Sequence, residues 1–271
     1  MLIRSTWTLK VTEPTTLPRS YGLELVKQLH QRLGIEMGSE QIPSTTCSGV
    51  IGNVAASGDF LTFYPEESYQ LSLCGLQEKA SIAIASFELA NHALESRLDL
   101  LGAGFQIVDR VDETTSYETL YHSLVAAEPE PTHRFDLIFT TPTAFSQNRL
   151  HLPLPVPALM FHSWLERWNH FAPIYLGSSE LIDYLAATVA VSRHKIQTRR
   201  VVIHSSKITG FTGGVSLSIL SRADPLLAHV ANLLISYSQF AGTGMKTRLG
   251  MGQTEVRIKF IEEENYGRRI D

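Results

Sequence analysis

The sequence predicts an α+β fold of two tandem units, and three observations carry that expectation. The order strand, helix, strand, strand, helix, strand can be read in the first half, and roughly the same order returns in the second. Between them lies the polar, proline-bearing segment "AAEPEPTHR". Such an order is the split βαβ, or ferredoxin-like, unit. No sequence repeat is visible at a fixed period, so the duplication rests on element order alone. The expected domains are residues 1–130 and 131–271.

In the first unit "IRSTWTLKV" reads as a strand. Tyr21, Leu25, Leu29 and Leu33 recur at i+4 in "SYGLELVKQLHQRLG", which predicts a helix stopped by Gly34. After the loop "GIEMGSEQIPSTTCSG", strands are expected around "GDFLTFYP" and "SYQLSLCGL". "QEKASIAIASFELANHALES" has helical character, and "FQIVDRV" reads as the fourth strand. The second unit opens on the strand "FDLIFTTPTAF" and continues with the helix "PALMFHSWLERWNHF". In that helix the spacing of Phe161, Trp164, Leu165 and Trp168 marks core and rim rather than a base-stacking platform. "TVAVSRHKIQTRRVVIHSSKITGFTGGVSLSIL" supplies β-branched runs broken by polar turns. The helix "DPLLAHVANLLISYSQF" and the strand "EVRIKFIEE" complete the order.

With 271 residues, 44% of them hydrophobic, the chain can build one large core or two small ones. It has no apolar run of membrane-spanning length, and "MLIRSTWTLKVTEP" lacks the features of a secretory signal, so a cytoplasmic protein with no membrane partner is expected. Cys47 and Cys74 show no metal-ligand spacing and read as small buried apolar residues. Neither a metal site nor a cofactor is expected. A net charge of -4 weighs against indiscriminate nucleic-acid binding. From Tyr184 to Thr254, however, eight cations face a single acidic residue, Asp224. That surplus suits a polyanion, although the same charges can lie scattered over a solvated surface.

"FAGTGMKTRLGMGQTEV" holds two G-x-G pairs with Lys246 and Arg248 between them. A dinucleotide fingerprint needs a strand before its glycines and a helix after, and here a helix precedes and a strand follows. The spacing also fails the P-loop pattern. What remains is a loop in which Gly242, Gly244, Gly250 and Gly252 can take positive φ and bring backbone N–H groups close to a ligand, with Lys246 and Arg248 adding charge. Alternatively, the glycines only serve the sharp turns of a long helix-to-strand connection.

This loop resembles that of the CRISPR-associated endoribonucleases that cut precursor CRISPR RNA within each repeat, members of the repeat-associated "mysterious protein" superfamily. "FTTPTAF", "PLPVPALMFHSWLERWNHFAP" and "KITGFTGGVSL" support the resemblance in the family's order. It implies two tandem ferredoxin-like (RRM-like) domains, CRISPR repeat RNA as partner, and a metal-independent cut leaving a 2',3'-cyclic phosphate and a 5'-hydroxyl. The loop would hold RNA phosphates, and Arg193, Lys195, Arg199, Arg200 and Lys207 would lie along the same RNA. Effector-complex subunits and a second copy of the chain are open as further partners. The rival reading is a non-catalytic subunit that binds CRISPR RNA with the same fold and loop.

A cut by 2'-hydroxyl attack needs a base, a proton for the leaving oxygen, and positive charge for the phosphorane. In related enzymes a histidine on the first helix, or in the loop after it, is often catalytic. His30 lies in that helix, about 100° from the centre of its leucine stripe, and Lys27 falls on the same side one turn earlier. His30 is therefore the candidate base or acid, with Lys27 lowering its pKa. It could equally be a half-exposed helix residue without function. Ser44, with Thr45 and Thr46, could hydrogen-bond the scissile phosphate or cap a strand.

Overall fold

The computed structural model describes residues 1–36, 40–87, 97–203, 206–220 and 224–257. The N-terminal unit runs β1 Leu2–Lys10, β2 Thr15–Pro18, α1 Gly22–Leu33, β3 Thr45–Ile51, β4 Ala55–Ser57, β5 Phe60–Phe63, β6 Tyr69–Gly75, α2 Glu78–Ala85, β7 Arg97–Leu100 and β8 Ala103–Thr115. A helical connection, α3 Tyr117–Tyr121 continued by a π-helical turn His122–Ala126, leads to the second unit. That unit runs β9 Arg134–Thr143, β10 Phe145–Gln147, β11 Leu150–Leu152, α4 Pro157–Phe171, α5 Ser179–Thr188, β12 Val189–Ile203, β13 Ser206–Ile219, α6 Pro225–Ala241 and β14 Thr254–Arg257.

The first sheet has the order β3-β6-β1-β8-β7 and the second β12-β13-β9-β14, with every neighbouring pair antiparallel. Numbered within its own unit, each sheet has the strand order 2-3-1-4 of a ferredoxin-like fold, and the first adds β7 at its edge. The predicted tandem architecture is therefore present. In the first unit Leu25, Val26, Leu29 and Leu33 of α1 pack with Trp7, Leu71 and Phe105 of the sheet, and Gly34 caps the helix at φ 62°. In the second, Leu137 and Phe139 of β9 and Val215 and Leu217 of β13 pack beneath Trp164 and Trp168 of α4 and Leu233 and Tyr237 of α6. The tryptophans are core, as their spacing predicts. α6 starts at Asp224, whose carboxylate accepts from the amides of Leu226 (2.9 Å) and Leu227 (3.4 Å).

One strand lies elsewhere than the sequence suggests. "GDFLTFYP" contributes β5 to a separate three-stranded sheet, β2-β5-β4, while the second strand of the ferredoxin-like unit is β3, inside the segment read as a loop. β3 is rich in hydroxyls yet buried, so it lacks the alternation that marks a half-exposed strand. Its polar groups are satisfied individually. Thr46 Oγ1 donates to the Phe240 carbonyl at 3.0 Å, and Ser48 Oγ accepts from the Ser72 amide at 2.8 Å. α5 and the hairpin β10-β11 also have no counterpart in the expected element order. The later part of the predicted helix through "FELANHALES", much of the final strand and the acidic run Glu262–Glu264 fall outside the described residues.

The two units share a core. Leu2 and Leu76 from the first sheet, and Tyr117 and Val125 from the connection, are buried within the apolar cluster of the second unit. The Tyr117 hydroxyl donates to the Leu76 carbonyl (2.8 Å) and lies 3.2 Å from that of Tyr237. Among the described residues no helix is long and apolar enough to cross a membrane.

Candidate functional site

The glycine loop leaves the end of α6 and wedges between the two units. Gly242, Gly244, Gly250 and Gly252 all have positive φ, as the sequence anticipates. At Gly244 and Gly252 there is also no room for a side chain, because a Cβ would collide with the Ala144 and Thr243 carbonyls respectively. The loop is stitched on every side. Thr243 N–H donates to Gly252 O (2.8 Å), Met245 N–H to Ala144 O (2.9 Å), Gly250 N–H to Cys47 O of β3 (3.1 Å) and Gly252 N–H to Pro142 O (3.1 Å). Leu249 packs against both the N-terminal core and a small cluster of Ala144, Ile203, Ile208 and Met251.

These bonds show which of the loop's backbone N–H groups are taken up within the protein. The amides of Gly242, Gly244, Gly250 and Gly252 are all engaged within the protein. The glycines fold the loop. The loop amides left without a partner among the described residues are those of Lys246, Thr247, Arg248 and Met251, and the first three open a short 3-10 turn, Thr247–Leu249. Lys246 holds a left-handed conformation (φ 57°) that is uncommon for a residue with a side chain. Its ammonium is exposed and Arg248 is half-buried. The turn lines a cavity of about 530 Å³, together with Glu40, Phe145, His162, Ser163, Glu166 and Arg167.

Below this turn lies His30. It is 2% exposed, deeper than the half-exposed flank read from the helical wheel. Its Nε2 is 3.0 Å from Thr45 Oγ1 at the start of β3, while Nδ1 has no partner of good geometry among the described residues. Burial, reinforced by the Arg248 guanidinium, holds the imidazole below its ordinary pKa of 6.5, with the Glu36 backbone and the Glu40 carboxylate acting the other way. The cation that bears on His30 is thus Arg248, from the glycine loop. Lys27 is exposed and pairs with Glu24 at 3.6 Å. The helical spacing put Lys27 near His30 on the wheel, but the ring turns into the protein and the lysine into solvent.

Of the hydroxyl triplet, Thr45 touches His30. Ser44 is buried, its amide donating to Glu40 Oε2 (3.2 Å) and its carbonyl accepting from Leu76 N–H (2.8 Å), which extends the ladder from β3 to β6. Glu40 and Arg167 carry no such signal in the sequence, and Thr45, expected at the phosphate or as a strand cap, instead meets His30, because local spacing does not show what the fold brings against these residues.

The predicted basic stretch forms the long hairpin β12-β13, and the pairing divides it between two faces. Arg193 stands opposite Ser216, Lys195 opposite Gly214 and Arg199 opposite Gly210, all on one face, whereas Arg200 (opposite Thr209) and Lys207 (opposite Val202) lie on the other. All five are exposed. The hairpin tip packs through Ile203 and Ile208 onto Met251 of the glycine loop, so Arg200 and Lys207 lie near that loop, whereas Arg193 and Lys195 lie farther down the strands. His204 falls outside the described residues, and His229 is structural, its Nε2 2.6 Å from the Pro129 carbonyl. Cys47 and Cys74 are buried free thiols pushed up to about 12 and about 11 by desolvation, in keeping with an apolar packing role.

A family model described as CRISPR-associated endoribonuclease Cas6 matches residues 137–254. Over this stretch, the second unit with its glycine loop, the chain resembles the CRISPR pre-crRNA-processing endoribonucleases, as the loop predicts. A Cas6 of Streptococcus thermophilus is 29% identical over 119 residues, 44% of this chain and 48% of that protein. A Cas6 of Mycobacterium tuberculosis is 27% identical over 161 residues, 59% of this chain and 50% of that protein. The chain spans about half the length of the curated relatives it matches. The fold likeness is wider. A Cas6 product complex superposes with a TM-score of 0.69 at 19% identity, covering 95% of this chain and 100% of that one. For Thermus thermophilus Cas6 the TM-score is 0.66 at 18% identity, covering 95% and 98%. A Cas6-related protein of Pyrococcus furiosus gives 0.63 at 14% identity, covering 97% and 99%.

Proposed function

We propose that this chain is a cytoplasmic, metal-independent endoribonuclease that binds CRISPR repeat RNA and cuts precursor crRNA within each repeat. The observation that carries the reading is that α1, which bears His30, packs against the Thr247–Leu249 turn of the glycine loop, so that the Arg248 guanidinium acts electrostatically on the imidazole. The free amides of Lys246, Thr247 and Arg248, with the two side-chain cations, bind the phosphodiester at the cut. Arg193, Lys195 and Arg199 on one hairpin face hold the flanking strand by its backbone, positioning it more than reading its sequence. With Nε2–H donating to Thr45, the neutral His30 has its Nδ1 lone pair free to take the ribose 2'-hydroxyl proton. The 2'-oxygen then bonds to phosphorus while the bond from phosphorus to the 5'-oxygen breaks. That oxygen takes a proton from water, which leaves a 2',3'-cyclic phosphate and a 5'-hydroxyl, and His30 returns its proton to solvent. Arg248 and Lys246 balance the charge that develops on the phosphorane.

The burial of His30 favours a second reading, a non-catalytic crRNA-binding subunit, since an imidazole 2% exposed must be uncovered before it can meet a ribose. Single-turnover cleavage of cognate repeat RNA, with binding measured in parallel, separates the two. The enzyme reading expects His30→Ala to bind RNA as the wild type does and to cut it roughly 10²–10⁴-fold more slowly, the usual worth of a positioned base. Equal rates for the two proteins refute the role of His30, and a wild type that binds without cutting is the subunit.

A further inference from the structure

α4 supplies a clamp beneath the glycine loop. Gly244 is held at both ends of its own backbone: its N–H donates to Ser163 Oγ at 2.8 Å, and its carbonyl accepts from Arg167 Nη2 at 2.6 Å. The two clamping side chains are themselves tied, Arg167 Nη1 donating to the Ser163 carbonyl (2.7 Å) and to the Ser163 hydroxyl. Arg167 is 7% exposed, and among the described residues it forms no ion pair. Its Nε is buried without a hydrogen-bond partner. A buried guanidinium in that condition is costly unless something else answers its charge. It lines the same cavity as Lys246, Thr247 and Arg248, whose amides are without a hydrogen-bond partner among the described residues.

We propose that Arg167 is a positioning residue for the anion site of the glycine loop. Through the Gly244 carbonyl it fixes where the loop turns, and so where the amides of Lys246, Thr247 and Arg248 point. This rests on the reading above, in which the loop holds RNA phosphates. Ser163 belongs to the same device, because one hydroxyl accepts from both Gly244 and Arg167. The pattern is not visible in the sequence, where "HSWLER" reads only as one amphipathic turn.

The test is repeat-RNA affinity as a function of salt for wild type, Arg167→Met, Ser163→Ala and Lys246→Ala, each checked for folding by its thermal midpoint. A residue that neutralises a phosphate takes about one counterion from the salt slope when removed, whereas a residue that only positions others leaves the slope intact. Arg167→Met is expected to weaken binding roughly tenfold to a hundredfold, the worth of a charge-assisted hydrogen bond, with the wild-type slope. Ser163→Ala should show the same signature with a smaller loss, and it answers the question by itself if Arg167→Met fails to fold. A lowered midpoint with unchanged affinity below it makes the clamp mere scaffolding and overturns the proposal. So does a slope reduced to that of Lys246→Ala, which would put Arg167 on the phosphate. If the wild type shows no salt-dependent binding, the RNA reading itself falls, an outcome distinct from both.

Discussion

Burial, with the Arg248 guanidinium acting in the same direction, holds the His30 pKa below its ordinary value, and this fixes the sign of two pH effects. His30 has a folded-state pKa below 6.5, so as pH falls the unfolded chain takes up the proton first. The stability contributed by this group is fully present above about 6.5 and is lost as pH falls from there through the lower folded value. Denaturation midpoints of wild type and His30→Gln should therefore converge between pH 7 and pH 5, and parallel curves would show that the ring is not held neutral. If His30 is the base, as proposed, cleavage should rise with pH through a pKa below 6.5 and be level at neutrality, because a base is active unprotonated. Thr45 orients the ring. Thr45→Val keeps the shape but removes the Oγ1 partner at 3.0 Å, so single-turnover cleavage should slow by up to about tenfold, the worth of one hydrogen bond. RNA affinity should stay as it is. A variant with full rate would make the contact with His30 incidental.

At the scale of elements, the glycine loop is a folded unit with its glycines inside and its donors at the tip. Gly252→Ala forces a side chain into positive φ against the Thr243 carbonyl. It should cost roughly 1–3 kcal/mol or more of stability and weaken RNA binding together with it, as chemical denaturation beside a binding titration would show. Stability without loss at this position would mean that the loop is not built as described. Lys246→Ala and Arg248→Ala should each reduce the salt slope of binding by about one and weaken it evenly across RNA sequences, and unchanged slopes would remove the loop from the RNA. Much of this element was legible in advance, because Gly242, Gly244, Gly250 and Gly252 announce positive φ and the order of helix, loop and strand excludes nucleotide-binding motifs. α1, α4 and α6 were legible for the same kind of reason, a strong apolar period with a stop or cap at hand. β3 was not. A strand buried by a neighbouring unit through hydroxyls carries neither alternation nor an apolar run, so its sequence looks like a loop. The site suffered the same limit: His30 could be found on its helix, but the meeting with Thr45 and Arg248 is made by tertiary contacts with no local signature.

As a whole molecule, the chain is two ferredoxin-like units bound by a shared core rather than by a linker alone. Leu2 and Leu76 enter the second unit's core, Tyr117 hydrogen-bonds to Leu76, and Gly250 closes onto Cys47. The segment from Tyr117 to Ala126, which the sequence assigns to the N-terminal domain, places Tyr117 and Val125 in that same cluster. Melting of one unit would strip apolar surface from the other, so calorimetry should show a single transition, and two separated transitions would show that the interface is weaker than its burial implies. The same closure gives the site its composition, a histidine on a helix of one unit packed against the arginine-bearing turn of the other.

The most direct test of that arrangement is cleavage of end-labelled cognate repeat RNA in excess EDTA, beside the same RNA carrying a single 2'-deoxy substitution at each candidate site. A single cut that persists in EDTA and is abolished by one deoxy position is the expected result of the proposed mechanism, in which the ribose 2'-hydroxyl is the nucleophile and His30 the base. Cleavage that stops in EDTA, or that ignores every deoxy substitution, would contradict it.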